Sequence, residues 1–444
     1  MSTSATLDPI MSPLDVVREC DRLVRNVTLA IGGSSASLPS LVDTGEPRRD
    51  WLLSSLRGVL PMYETRPRRA IRSVDLFCGS GGLSLGARWA IEAAGFRSIV
   101  LLAADIDPDA VDVHAYNLPP RRSHLGSVRD LFDPTLLDSA RDVSDVTSPD
   151  VVAADWIRSL GAADVIVGGP PCQGHSNLNN RTRRTDARNE LYRWMGLAAL
   201  AMSAKIVVIE NVPTVKADAG DVVGRTIQLL CDLGFVITFD DIVAADAVGV
   251  PQTRKRHFLI AVRADVLNDG WEAARKWIGQ SVGYATSSIQ AIGDLADPTG
   301  ILPYDQPSVL SPENRARAQW LHEHGEFDLP DRLRPECHQD GKHSYGAVYG
   351  RMYGDRPAPT LSTGFLSPGR GRYVHPTRPR GLSPHEGARL QGFPDGFRFI
   401  GVSGRAPRRT VISRMIGDAV PPPLAFHVVL GALAMLRGES FDET

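Results

Sequence analysis

An α/β fold built on a doubly wound parallel sheet is predicted by three features of this 444-residue chain. Strand-length apolar runs alternate with helix-period segments from Ile71 to Val262. The first strand runs straight into a glycine-rich turn, Gly79-Ser80-Gly81-Gly82, and the second closes on an acidic residue, Asp105. A third strand, ending Val165-Ile166-Val167, leads into Gly168-Gly169-Pro170-Pro171-Cys172. Two prolines fix φ and remove donors, so the backbone leaves the sheet stiff and extended, with the thiol at the strand's carboxyl end. In open α/β sheets that end carries the chemistry. A buried structural thiol is the alternative reading of Cys172.

The elements follow in order. Pro13 to Ile31 has Leu14, Val17, Leu23, Val24, Val27 and Ile31 at near-helical spacing, so residues 1–69 read as an N-terminal helical extension. A Gly/Ser/Pro linker runs from Gly32 to Gly45, and Trp51 to Tyr63 reads as a further short helix. Strands are expected at Ser73-Phe77, Ile99-Ala104, Ala163-Val167, Ile206-Ile209 and His257-Val262, with helices such as Leu83-Ala94 and Leu191-Ala201 between them. The alternation is lost from Arg263 to Val348, and helix returns from Leu382, including Leu424 to Leu436. Four segments result: the extension 1–69, an alternating α/β domain 70–262, a smaller domain 263–380 that lacks the alternation, and a largely helical segment 381–444.

Composition sets the class. Hydrophobic residues make up 43% and charged residues 23%, as in folded globular chains. Five cysteines, an odd number scattered along the chain, argue against a disulfide framework and fit a reducing compartment. No signal-peptide pattern opens the chain and no apolar run suggests a membrane span, so a cytoplasmic protein is expected. Net charge is -2, which does not by itself advertise a nucleic-acid partner. Arginine outnumbers lysine, which suits bidentate phosphate and base-edge contacts but also fits a GC-rich genome.

Asp75-Leu76-Phe77-Cys78-Gly79-Ser80-Gly81-Gly82 lacks the Gly-x-Gly-x-x-Gly spacing of the dinucleotide fingerprint, so a smaller nucleoside-like cofactor with a charged tail is expected. Asp105 is placed to accept from ribose hydroxyls, whereas Asp107 before Pro108 reads as a helix N-cap. Glu210-Asn211 ends the fourth strand, and Arg254 and Arg256 flank Lys255 two residues apart. A strand-end turn and a basic surface run are the plainer readings of these two pairs.

Taken in order, the motifs resemble those of the DNA cytosine-5 methyltransferase family. They are Asp75 to Gly82, Asp105-Ile106-Asp107, Gly168 to Ser176, Glu210-Asn211-Val212, Gln252 to Arg256, Glu386 to Pro394 and Gly417 to Pro422. The resemblance implies a Rossmann-like S-adenosylmethionine-dependent methyltransferase fold with a variable target-recognition domain. It implies S-adenosyl-L-methionine as cofactor, S-adenosyl-L-homocysteine as product, and no metal. The implied cofactor residues are Asp75, Phe77, Cys78, Gly79, Gly81, Gly82, Asp105, Ile106, Ser127, Pro170, Asp418 and Ala419, with Phe77 against the adenine and Asp105 on the ribose. Three positions depart from the family pattern: Ser127 where an aspartate is usual, His175 for phenylalanine, and Asp418 for asparagine.

By the same resemblance Cys172 is the nucleophile on cytosine C6, Glu210 contacts N3 and the exocyclic amino group, Arg256 contacts O2, and Arg254 orients the cysteine region or the DNA backbone. The arginine-rich stretch from Asn177 to Asn189 reads as a lid closing over an extruded base. Recognition is expected between Arg263 and Val348. The histidines and Cys337 there show no metal-ligand spacing. The expected partner is double-stranded DNA, with a cognate restriction or defence nuclease, in a nucleoid-associated monomer without membrane contact. An RNA methyltransferase acting on tRNA and a non-catalytic DNA-binding regulator are the rival functions.

Overall fold

The computed structural model describes residues 12–64, 67, 69–132, 154–171, 187–297, 304–339, 347–438 and 440–441. The chain opens with β1 (Leu14–Glu19), β2 (Arg22–Leu29), β3 (Gly32–Pro39), α1 (Pro47–Leu56) and β4 (Met62–Tyr63). The four strands form one antiparallel sheet in sequence order. The expected helix at Pro13 to Ile31 and the linker from Gly32 are therefore corrected to a β-meander. Val24, Val27 and Thr28 are β-branched, and Leu23, Arg25 and Val27 alternate inward along β2. Arg25 hides this period because it is buried: its guanidinium lies 4.7 Å from the Trp51 ring centre, 5.9 Å from Tyr63 and 5.6 Å from Phe426.

The central sheet comprises β5 (Ala70–Leu76), β6 (Arg97–Asp105), β7 (Arg122–Leu125), β8 (Val165–Gly168), β9 (Ile206–Asn211), β10 (Phe235–Ala244) and β12 (Lys255–Arg263). Their order is β10-β12-β9-β8-β5-β6-β7. Strands β7, β6, β5, β8 and β9 are mutually parallel. Strand β12 pairs antiparallel with both β9 and β10, so the sheet is mixed and the all-parallel expectation is corrected at this edge. Strand β10 and the short β7 were not anticipated. A two-residue strand β11 (Gln252–Thr253) pairs in parallel with β13 (Ala358–Pro359), hooking the smaller lobe onto the sheet.

Helices cover both faces. On one lie α2 (Gly82–Ala93) and the last helix, α12 (Pro422–Ala434). A Cβ on Gly82 would stand 2.4 Å from the Val420 carbonyl oxygen, and one on Gly86 would stand 2.3 Å from that of Pro422, so the C-terminal helix seats against α2 at glycine contact. The opposite face carries α5 (Trp194–Ala201) and α6 (Val222–Asp232), packed on Leu76, Ile166, Val207 and Leu259. Helix α3 (Pro108–Asn117) follows β6, and the short α4 (Asp155–Arg158) precedes β8.

Helix α7 (Trp271–Gly279) falls within the span expected to be variable, yet it packs into the catalytic core, where Trp277 stacks on His427 at 4.0 Å. Beyond α7 follow α8 (Ser288–Ile292), α9 (Pro312–Glu323) and β13. The chain returns through α10 (Pro384–Gln391) and α11 (Arg409–Asp418). By length and composition Arg409–Ala434 could cross a membrane, but 83% of its most apolar window is buried in the fold, and Ala419 to Pro421 divide it into two core helices.

Candidate active site

The carboxyl ends of β5, β6, β8 and β9 form one rim. At the first, Phe77, Gly79 and Gly81 all adopt left-handed φ values of 59°, 50° and 100°. The positive φ folds the turn back over the strand, and among the described residues no atom outside the turn's own neighbours lies within 4 Å of where a Gly79 Cβ would stand. Asp105 ties the two strand ends together: its Oδ2 accepts from Gly79 N at 2.9 Å and its Oδ1 from Asp107 N at 2.9 Å. Burial pushes the Asp105 carboxyl up, against the lowering effect of these two N–H donors. Ile106, next to it, is 73% exposed, an unusual placement for a large aliphatic side chain beside an open turn.

Asp107 caps α3 through Asp109 N and Ala110 N, as its sequence position suggested. It also forms an ion pair with Arg414 of α11, a link that the sequence did not signal. Asp75 lies under the turn rather than in the open cleft. Its carboxylate is buried and accepts from Ser84 Oγ at 2.5 Å. Cys78 is buried too, and burial pushes its thiol well above the usual range, marking a packed group rather than a nucleophile.

Ser127 is occupied as a cap. Its hydroxyl accepts from Arg129 N at 3.2 Å, and Asp130 Oδ2 accepts from its own N–H at 3.1 Å. Asp418 ends α11 exposed, with Arg254, Arg414 and Arg256 as charged neighbours. The Ala419 carbonyl accepts from Gln391 Nε2 at 2.5 Å.

The second half of the rim is built by β8 and β9. Asn211 Nδ2 donates to the Pro170 carbonyl at 3.2 Å, holding the diproline exit against β9. A Cβ on Gly169 would stand 3.1 Å from Glu210 Oε2, so the glycine lets this strand end approach the carboxylate. Cys172 and His175 lie outside the described residues, as does most of the arginine-rich stretch. Pro171 delivers the chain to that point.

Glu210 and Arg256 meet: Arg256 Nε is 2.7 Å from Glu210 Oε1, with side-chain exposures of 15% and 11%. Burial pushes the Glu210 carboxyl above its ordinary range, outweighing the opposing pull of Arg256 and Arg254. Arg254 does not share that position. Its chain turns between β11 and β12, where Arg254 N bonds the Gln252 carbonyl. Its guanidinium, fully buried, donates to the Leu361 carbonyl at 3.2 Å and the Gly417 carbonyl at 2.9 Å. Two residues apart in sequence, the arginines thus bind different groups, Arg256 the Glu210 carboxylate and Arg254 two backbone carbonyls.

Sequence reasoning missed the partners of this brace. Gln252 Nε2 donates to Gln391 Oε1 at 2.7 Å, and its Oε1 accepts from Leu361 N at 3.2 Å. With Gln391 on Ala419, these side chains join the edge strand, the smaller lobe and the C-terminal turn. Two glutamines, Gln252 at the start of β11 and Gln391 at the end of α10, were the available signal.

A profile of the C-5 cytosine-specific DNA methylase family matches residues 71–431. The chain belongs to this family. As a DNA cytosine-5 methyltransferase it is 36% identical over 368 residues to the type II methyltransferase M1.BsuMI of Bacillus subtilis, covering 82% of this chain and 81% of that one. It is 30% identical over 376 residues to the type II methylase M.HgiDII of Herpetosiphon aurantiacus, covering 82% and 96%. Among solved structures, a prophage-encoded DNA modification methyltransferase of E. coli superposes with a TM-score of 0.55 at 22% identity, covering 82% of this chain and 99% of that one. That likeness speaks to the fold. The methyltransferase uses S-adenosyl-L-methionine as methyl donor. Its residues fit such a group: the open space above Gly79, the Asp105 carboxylate beside it and the exposed apolar side chain of Ile106 offer a cradle, a polar anchor and a stacking surface. Among the described residues no group of three or more His, Cys, Asp or Glu side chains could hold a metal ion.

Proposed function

We propose that this methyltransferase modifies one cytosine within a short duplex DNA sequence, with Cys172 as nucleophile and Glu210 and Arg256 holding the target ring. The Glu210–Arg256 contact, at the end of the strand beside the Gly168–Pro171 exit, is the observation that carries the reading. Cytosine C5 is a poor nucleophile until the ring's aromaticity is broken. Addition of the Cys172 thiolate to C6 does this, and the electron pair pushed toward N3 and O2 makes C5 enamine-like. A protonated Glu210 donates to N3, and Arg256 donates to O2, so both contacts strengthen as charge develops. Burial of Glu210 favours the proton-bearing form that this contact needs.

The bound cofactor supplies an electrophilic methyl group to C5. Loss of the C5 proton to water or hydroxide then expels Cys172 and restores the ring. The base must leave the stack for this attack, because C6 is shielded within the duplex. Cofactor contacts are assigned to Phe77, Cys78, Gly79, Gly81, Gly82, Asp105, Ile106, Ser127, Pro170, Asp418 and Ala419, with Asp75 acting from beneath the turn. Arg254 serves by bracing Leu361 and Gly417. The thiol, carboxyl and guanidinium set needs no metal, so activity is expected to survive chelation.

A cytoplasmic, nucleoid-associated monomer paired with a cognate restriction or defence nuclease completes the proposal, since type II relatives match over most of their length. Conversion sequencing of DNA from cells expressing the chain, beside methylation assays on duplex DNA and tRNA, tests it. New protected cytosines in one sequence context are expected. Methylation of tRNA alone would overturn it.

A further inference from the structure

Under the glycine turn lies a buried polar chain that the methyl-transfer steps leave unused. Ser84 Oγ stands 2.5 Å from Asp75 Oδ2 and 3.1 Å from His114 Nε2. All three side chains are buried, and among the described residues Asp75 Oδ1 and His114 Nδ1 have no hydrogen-bond partner. Helix α2 begins at Gly82 without a side-chain cap of its own. Asp75, on the preceding strand, lies beside the helix's first turn, where the Ser84 hydroxyl meets its carboxylate and the Ser84 N–H favours its ionised form.

We propose that Ser84 and His114 are positioning residues that hold the Asp75 carboxylate against the start of α2 and make cofactor binding proton-linked. This rests on the reading that the glycine turn holds the cofactor. A hydroxyl has one proton, and the short contact assigns it to Asp75. The Ser84 oxygen is then free to accept, so His114 donates from Nε2 and carries no proton on Nδ1. The chain runs His114 to Ser84 to Asp75, and in this direction its accepting end is the Asp75 carboxylate.

The surroundings make that ionisation conditional. Burial raises the Asp75 carboxyl to about 7, with Ser84 opposing and Asp105 adding to the rise. Burial lowers His114 to about 4, so the imidazole stays neutral at working pH. Among the described residues the titratable groups facing Asp75 are Asp105 at the end of β6, Cys78 in the turn and His114 on α3. The two carboxylates under one turn therefore await a positive charge. A ligand bringing an ammonium group favours ionised Asp75, and its binding releases a proton near neutrality.

Calorimetric titration of the full chain with S-adenosyl-L-homocysteine, between about pH 6 and pH 8.5 in buffers of different ionisation enthalpy, tests this. Affinity is expected to rise with pH, with net proton release. Ser84→Ala is expected to weaken binding about tenfold and to shift the pH midpoint upward. Nitrogen NMR of wild-type His114, which needs no variant, is expected to show the neutral Nε2–H tautomer above about pH 7. A protonated Nδ1 there, or wild-type affinity and midpoint in Ser84→Ala, would overturn the proposal. Phe77→Ala and Asp105→Asn separate the two levels. If neither weakens binding, the turn is not the cofactor site; if both do and Ser84→Ala does not, only the relay fails.

Discussion

Arg256 reaches back from the start of β12 to place its Nε 2.7 Å from Glu210 Oε1 at the end of β9. The antiparallel register sets Phe258 opposite Glu210, so Arg256 is the diagonal neighbour two residues on, within reach only of a long side chain. Glu210 is thus held at the rim by its partner while burial favours its protonation. Glu210→Gln keeps a donor but alters the proton available to cytosine N3. A fall in kcat of about 10²-fold or more is expected, with S-adenosyl-L-homocysteine affinity unchanged, read by labelled methyl transfer and calorimetry. Arg256→Ala is expected to act in the same direction.

Helix α10 is held by charge rather than apolar packing alone. Arg389, fully buried, bonds Asp395 through Nε at 2.5 Å and Nη2 at 2.6 Å, and Asp294 through both Nη atoms at 3.2 Å. Arg389→Ala removes four hydrogen bonds to these carboxylates, leaving His385 on Asp395 and Arg57 on Asp294, and is expected to cost about 1.5–3 kcal/mol in denaturant unfolding.

The same network sets a pH dependence. Burial alone would raise the Asp395 carboxyl, but hydrogen bonds from Arg389 and His385 bring it down to about 2. A depressed folded value means that its stabilisation is present above the ordinary carboxyl value of 3.8 and is lost as pH falls through about 2. His385 moves the opposite way: burial opposes its charge, yet Asp395 and Asp305 raise it above 6.5. Its contribution is present below 6.5 and is lost as pH rises through the raised value. Melting of wild type against His385→Asn is expected to show a difference in melting temperature that shrinks toward alkaline pH.

Gly86 fixes how closely the C-terminal helix approaches. Its Cβ would stand 2.3 Å from the Pro422 carbonyl oxygen and 2.4 Å from the Ala425 Cβ. Gly86→Ala must push α12 off α2 and is expected to destabilise by about 1–3 kcal/mol. Because Asp418 and Ala419 lead into α12, weaker S-adenosyl-L-homocysteine binding should accompany the lower melting temperature.

The parallel core was legible because its strands are short apolar runs bounded by glycine, proline and acidic residues. Ile206-Val207-Val208-Ile209 has no other reading once helices flank it. The N-terminal meander was not, since Arg25 interrupts an otherwise alternating β2 and its aromatic partner Phe426 lies in the last helix. Among site residues, Glu210 contacts Arg256 and Asp105 contacts the glycine turn. Arg254 differs because its partners, Leu361 and Gly417, are carbonyls from segments far along the chain, and backbone acceptors leave no trace in side-chain pattern. Ser84 and His114 looked like ordinary helix positions until α2 and α3 were brought together over Asp75.

The central claim is that the residue 172 sulfur bonds to C6 of the target cytosine. Incubating the protein and S-adenosyl-L-methionine with duplex DNA carrying 5-fluorocytosine at the modified position tests it most directly, because fluorine at C5 blocks the final elimination. A denaturation-resistant protein–DNA adduct that maps to Cys172 and vanishes in Cys172→Ser is the predicted result. No adduct under conditions where ordinary DNA is methylated, or an adduct that persists in Cys172→Ser, would contradict the account.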